Sequence, residues 1–151
     1  MKKSLFDAPQ FGYDEIYFEE SSPMALTAPL LTSNGIIYKN SKNCAEVDAV
    51  WDTGSDISSI PLSAVEFLKL KYRYTGKKLN TINGLVDERL CTTNFIIYSK
   101  NKKYAFQYID CEVRINEVPE ASLLIGMDII GSGKFLMYHS PGFLNMSFKT
   151  L

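Results

Sequence analysis

With 151 residues, 46% of them hydrophobic and 13% aromatic, the chain is long enough for one domain-sized core and too apolar for wholesale disorder. The 16 basic and 17 acidic side chains leave a net charge of −1, which excludes a global bias toward nucleic acid or anionic membrane. Three cysteines (Cys44, Cys91, Cys111) and a single histidine (His139) exclude a zinc cluster and a disulfide framework, and the thiols read as free in a reducing compartment.

Residues 1–22 are an acidic, aromatic-rich lead (Phe6, Phe11, Tyr13, Tyr17, Phe18, Glu19, Glu20) without clean periodicity, either an arm or a disordered segment. The lead lacks the apolar stretch of a secretory signal, and no window approaches the roughly 18 apolar residues of a membrane span. A cytoplasmic protein without membrane contact is therefore expected. Residues 23–151 form the domain.

Met24–Thr32 reads as a strand, with Pro29 placing it at an edge or bulge. Ser33-Asn34-Gly35 reads as a turn and Ile36–Lys39 as the returning strand. Ala45–Trp51 is an apolar run leading straight into Asp52-Thr53-Gly54-Ser55, and Ile57–Ile60 is a short strand stopped by Pro61. A short helix follows, with Ser63 as its cap and Val65, Phe67, Leu68 and Leu70 on its apolar side. Lys71–Lys78 reads as a loop. Leu79–Ile82, the Asn83-Gly84 turn and Val86–Leu90 make a hairpin. Thr93–Ser99 and Tyr104–Ile115 are strands joined by the charged tip Lys100–Lys103. In the second of them Ile109, Cys111, Val113 and Ile115 alternate with Asp110, Glu112 and Arg114. Leu123-Leu124-Ile125 is a short apolar run closed by Gly126, with one helical turn over 128–131. Phe135–Tyr138 and Phe143–Phe148 bracket Ser140-Pro141-Gly142 in a last hairpin, with Leu144, Met146 and Phe148 on one face. The whole is an all-β, mostly antiparallel domain of about ten short strands with one or two short helices.

The segment Val50 to Ile60 carries the chemistry. An apolar strand delivers Asp52 into a tight turn, where its carboxylate is expected to be partly removed from water. Gly54 lets the backbone pass close behind it, and the hydroxyls of Thr53 and Ser55 are placed to fix its orientation. Asp52 also fits a plain β-turn, where Asp, Ser and Gly are the expected residues.

Asp52-Thr53-Gly54-Ser55 between apolar strands resembles the active-site loop of aspartic proteases. Leu124-Ile125-Gly126 is similar to that family's second element, the aliphatic run behind the active-site loop. Thr81-Ile82-Asn83-Gly84-Leu85 resembles its substrate-covering flap. A single Asp-Thr-Gly in a chain of this size points to the retroviral type, the retropepsins, in which two identical subunits each give one Asp. The resemblance implies a retropepsin-like closed β-barrel with its active site at a homodimer interface. It implies Asp52 as the catalytic residue, Thr53, Gly54 and Ser55 as loop support, and Gly54, Asp56, Ile82, Asn83, Gly84 and Leu85 as contacts to an extended polypeptide. No metal or other cofactor enters that chemistry.

Three departures stand beside the likeness. The retroviral enzymes commonly carry an arginine where this chain has Met127, and it pairs with the Asp matching Asp56; here Asp56 must find another partner or stay solvated. The flap has Gly84 alone. The lead has no counterpart. An aspartic endopeptidase is thus the first expectation, a non-cleaving binding or assembly module of the same fold the second, and a monomeric β domain with an incidental Asp-Thr-Gly turn the third. The lysine runs at 71–78 and 100–103 sit in expected loops of a net acidic chain and read as solvated, not as nucleic-acid contacts.

Overall fold

The computed structural model describes residues 17–23, 31–81, 84–118 and 122–150. Ten strands and two short helices follow one another as β1 (Tyr17–Pro23), β2 (Thr32–Asn40), β3 (Asn43–Trp51), β4 (Ser59–Pro61), α1 (Leu62–Leu68), β5 (Tyr72–Thr81), β6 (Gly84–Tyr98), β7 (Ala105–Asn116), β8 (Leu123–Ile125), α2 (Met127–Ile130), β9 (Gly133–Ser140) and β10 (Phe143–Thr150). The expected strand at 24–32 falls mostly outside the described residues.

Six strands close a barrel in the order β2-β3-β8-β4-β7-β6, with β6 returning to β2. The closure depends on the length of β6, whose single edge serves two neighbours in series. Its first part pairs with β5 from Gly84 to Cys91, and its second part pairs with β2 from Asn94 to Tyr98. Thr93–Ser99 and Val86–Leu90 are thus one strand and not two. Most ladders are antiparallel, but β3 runs parallel to β8 and β4 parallel to β7. Those two parallel contacts bring the residues after β3 and after β8 side by side. Closure leaves the barrel strands without a free edge of their own, a common solution for small β domains.

The core follows the period-2 rule. Ile37, Phe95 and Ile97 point into the main cluster, while Ile36, Tyr38 and Ile96 form a second cluster on the other face of the same strands. A separate sheet, β1-β10-β9, lies against the barrel. Leu144, Met146 and Phe148, predicted to share a face, are all buried in the main core.

Several local expectations give way. Ser33-Asn34-Gly35 is not a turn but part of β2, paired in turn with Ala49, Asp48 and Val47 of β3. Gly35 serves close packing there, since a Cβ would stand 3.2 Å from the side chains of Leu123 and Val47. The chain reverses instead at 41–42, where Asn40 Oδ1 accepts from the backbone N–H groups of Lys42 and Asn43. Lys71–Lys78 is largely strand β5, disguised by its charges and by a register break around Gly76, whose φ is +83°. Ser63 does not cap α1: Pro61 occupies that position without a side-chain bond, and Phe67 is 72% exposed while Ala64, Val65 and Leu68 are buried. Ile109 is exposed because Asp110 adopts φ +50° and bulges the strand, so the alternation read across it shifts there. Asn94 Oδ1 holds that bulge through the Asp110 N–H at 2.9 Å.

Candidate active site

Asp52 leaves the end of β3 as the chain quits the barrel. Trp51 N–H donates to Leu31 O at 3.0 Å, and Asp52 N–H donates to Ile125 O at 2.9 Å, which extends the parallel β3–β8 ladder into the turn. The turn closes with Ser55 N–H on Asp52 O at 3.2 Å. Gly54 N–H donates to Asp52 Oδ1 at 3.0 Å, and this bond sets the carboxylate. The Ser55 hydroxyl, expected to do so, instead donates to Ile57 O at 2.7 Å. A Cβ on Gly54 would lie 3.3 Å from Asp52 Oδ1, so the backbone passes as close as expected.

The residues after β8 lock onto this loop. Met127 N–H donates to Ser55 O at 2.7 Å and Asp128 N–H to Asp56 O at 3.1 Å. Ser58 is the knot: its Oγ donates to Asp128 Oδ1 at 2.7 Å and accepts Gly126 N–H at 2.9 Å, while its own N–H also reaches Asp128 Oδ1 at 3.0 Å. Gly126 has to be glycine, because a Cβ would sit 2.7 Å from the Ile57 carbonyl carbon. The structure therefore brings Asp52, Thr53, Gly54, Ser55 and Asp56 together with Leu124, Ile125 and Gly126. Asp52 is half-buried and Thr53 and Gly54 are exposed, so the loop is clasped along its sides and open at its tip.

Asp56 is not left to solvent. Arg114, on β7, donates from Nη1 to Asp56 Oδ1 and from Nε to Glu88 Oε2 at 2.7 Å. The hydrogen bond from Arg114, with its positive charge, holds the Asp56 carboxyl below its usual range. Glu88 is also held low, first by the hydroxyl of Thr75 and then by Arg114. The Met127 side chain is 43% exposed and carries no charge for Asp56, and the residue serves the loop through its backbone alone.

Of the expected flap contacts, Ile82 and Asn83 lie outside the described residues. Gly84 has φ +99° and its carbonyl accepts Thr81 Oγ1 at 2.8 Å, while Leu85 is 69% exposed. The 81–84 bond narrows the end of the β5–β6 hairpin. Beneath the loop, Trp51 stacks on Phe135 (centroids 6.0 Å apart), lies 5.1 Å from Phe148, and donates from Nε1 to Ser33 Oγ at 2.9 Å. Trp51 thereby joins the active-loop strand to the terminal sheet. Ser58, Glu88, Arg114 and Asp128 were missed as site residues. An Asp two residues after Gly126 was visible, but no local pattern marked its partner 70 positions earlier.

No protein-family model matches the sequence, and no curated protein matches it. Solved structures do. A retropepsin-like aspartic protease from Rickettsia conorii superposes with a TM-score of 0.54 at 12% identity, covering 94% of this chain and all of that one. EIAV protease in complex with an inhibitor gives a TM-score of 0.46 at 20% identity over 72% of this chain and 91% of that one, too loose to add weight. The chain has the retropepsin-like fold, with a closed six-strand barrel and two short helices. At this identity the likeness defines the fold, and the chemistry has to come from the residues. Among the described residues, no helix is long and apolar enough to cross a membrane.

Proposed function

We propose that the chain is an aspartic endopeptidase that acts on extended polypeptide as a homodimer, with Asp52 from each subunit forming the catalytic pair. One observation carries this reading. Asp52 Oδ1 takes the Gly54 N–H, and Oδ2 takes no hydrogen bond among the described residues. The neighbouring carboxylates are committed, Asp56 to Arg114 and Asp128 to Ser58. A dyad needs two free carboxyls in contact, so the second belongs to another copy, and a two-fold axis beside the open loop tip supplies it.

Two such carboxyls share one proton, because like charges in contact cannot both ionise readily. The ionised member takes a proton from a water that attacks the scissile carbonyl. The protonated member donates a hydrogen bond to that carbonyl oxygen. The apparent pKa values belong to the pair, so activity is greatest at acidic pH. Asp56 Oδ2 and the Gly54 carbonyl accept N–H groups of the peptide main chain, which lies as an added strand beside the β5–β6 hairpin. In this reading residues 23–151 are the protease domain. Of the preceding lead, residues 17–22 pair with β10 as part of β1. The protein works in the cytoplasm, without nucleic acid or membrane. The second expectation, a non-cleaving module, rested on Met127 and on the single flap glycine; the Arg114–Asp56 pair answers the first of these.

Purified protein should sediment as a dimer at micromolar concentration and cut an unfolded protein at acidic pH, with inhibition by a pepstatin-type statine. Asp52→Asn should reduce cleavage to background while leaving the dimer. Cleavage that survives Asp52→Asn would sink the assignment.

A further inference from the structure

Arg114 stands outside both loops of the site, on a barrel strand, with its side chain 17% exposed. Its two bonds leave in different directions. Nη1 reaches the loop after Asp52, and Nε reaches Glu88 on β6. Glu88 carries the contact onward, since its Oε1 accepts Thr75 Oγ1 at 2.9 Å. Thr75 Oγ1 in turn accepts Lys77 N–H at 3.2 Å. A continuous chain of bonds thus links Asp56 to both strands of the β5–β6 hairpin.

The place where the chain enters the hairpin matters. The β5–β6 ladder is interrupted between Tyr74 and Lys78, where Gly76 turns to positive φ. Thr75 to Glu88 is a side-chain bond across that interruption. Beyond it the hairpin pairs again, Lys78 with Asp87 through Asn80 with Leu85, up to the tip expected to cover substrate. A break of this kind bends the strand and leaves the ladder unpaired there, and the Thr75–Glu88–Arg114 contact spans it. A guanidinium suits the task because its planar fork holds two carboxylates at a set separation, which a lysine ammonium cannot do.

We propose that Arg114 is a positioning residue for substrate binding, tying Asp56 to Glu88 so that the active-site loop and the β5–β6 hairpin keep one fixed relation. The kinetic part of this inference rests on the peptidase reading; the structural part does not. The bonds from Arg114 and from Ile57 N–H both fall on Asp56 Oδ1, which leaves Oδ2 to accept a substrate amide. Without Arg114, a side chain that is 74% exposed has only its own turn to hold it.

Removing Arg114 alone strands the Glu88 charge and risks the fold, so the test uses Glu88→Gln with Arg114→Gln, which removes both charges together. In the intact dimer, KM for a peptide substrate should rise about tenfold while kcat stays within about threefold, the pattern of lost positioning in the bound state. Amide exchange at Leu85, Val86, Asp87 and Ile57 should quicken about tenfold, as the freed hairpin opens. Asp52→Asn serves as control, with cleavage lost and hairpin exchange unchanged. KM and exchange both within twofold of wild type would overturn the proposal, and so would a fall in kcat at constant KM. If the wild-type chain cuts no peptide, the peptidase reading fails, and the exchange comparison alone decides the role of Arg114.

Discussion

Glu88, on the β5–β6 hairpin, and Glu20, on the terminal sheet, are each 5% exposed, and the protein treats them in opposite ways. Glu88 has both oxygens occupied, by Thr75 and by Arg114, and its carboxyl is held low. Glu20 has one oxygen on the Lys100 N–H at 3.1 Å, while Oε2 is buried with no hydrogen-bond partner among the described residues. Burial pushes Glu20 up, against the pull of that N–H and of the Lys100 charge. On the hairpin the buried carboxylate is answered at both oxygens. The terminal sheet is held by apolar packing and leaves one oxygen of its buried carboxylate unanswered. That sheet also exposes Leu136, Met137, Tyr138 and Phe143, as expected of an element finished by contact with a second subunit in the proposed dimer.

The largest effect should come from the apolar side of the comparison. Phe148 is fully buried and touches both Trp51 and Phe106, so it anchors the terminal sheet to the active-loop strand. Phe148→Ala should cost about 3–5 kcal/mol in urea unfolding, as large-to-small changes in a packed core do. A cost under about 1 kcal/mol would show the sheet to be peripheral to the domain. Next comes Arg114→Met, which leaves Glu88 buried with Thr75 alone. The loss should be about 3 kcal/mol at pH 7, as for a broken buried pair. It should shrink on acidification, because the stranded Glu88 can then protonate. A loss that stayed constant with pH would mean that Arg114 stabilises through packing and not through charge.

Both regions were legible in the sequence to different depths, for a physical reason. The strand pattern of β10, the Pro141-Gly142 turn and the one-turn helix after Gly126 are local signals, and they read correctly. Asp52, Thr53 and Gly54 were visible as a motif because tight turns constrain residue type over three or four positions. Arg114, Glu88 and Thr75 were not, because their meeting depends on the register of three strands and no spacing along the chain announces it. Strand β5 was hidden by its exposed lysines and by the break at Gly76, which erase the period-2 signal. The Asn34-Gly35 pair misled because glycine was needed for close packing against Leu123 and Val47, a tertiary demand that resembles a turn demand in sequence.

The smallest effect tests the comparison most directly. In Glu20→Gln the carbonyl oxygen can still accept the Lys100 N–H, and a neutral amide replaces the charge. At pH 7 the variant should be about 1 kcal/mol more stable than wild type, since a buried unpaired amide costs less than a buried unpaired carboxylate. The sign then depends on pH. The folded Glu20 carboxyl lies above its ordinary value of 4.5, so between 4.5 and that raised value the folded chain holds more protons than the unfolded one. Wild-type stability from this group therefore falls as pH rises through that window, and the penalty vanishes below 4.5. Glu88 behaves in the opposite sense. Its contribution is complete above 4.5 and is lost as pH falls through its lowered folded value. The stability difference between Glu20→Gln and wild type, measured by urea unfolding at pH steps from 7 down to 4.5, should close toward zero. A difference that is flat across those steps, or a wild type more stable than the variant at pH 7, would mean that Glu20 has found a charge partner in the folded protein. The contrast between the two glutamates would then be lost.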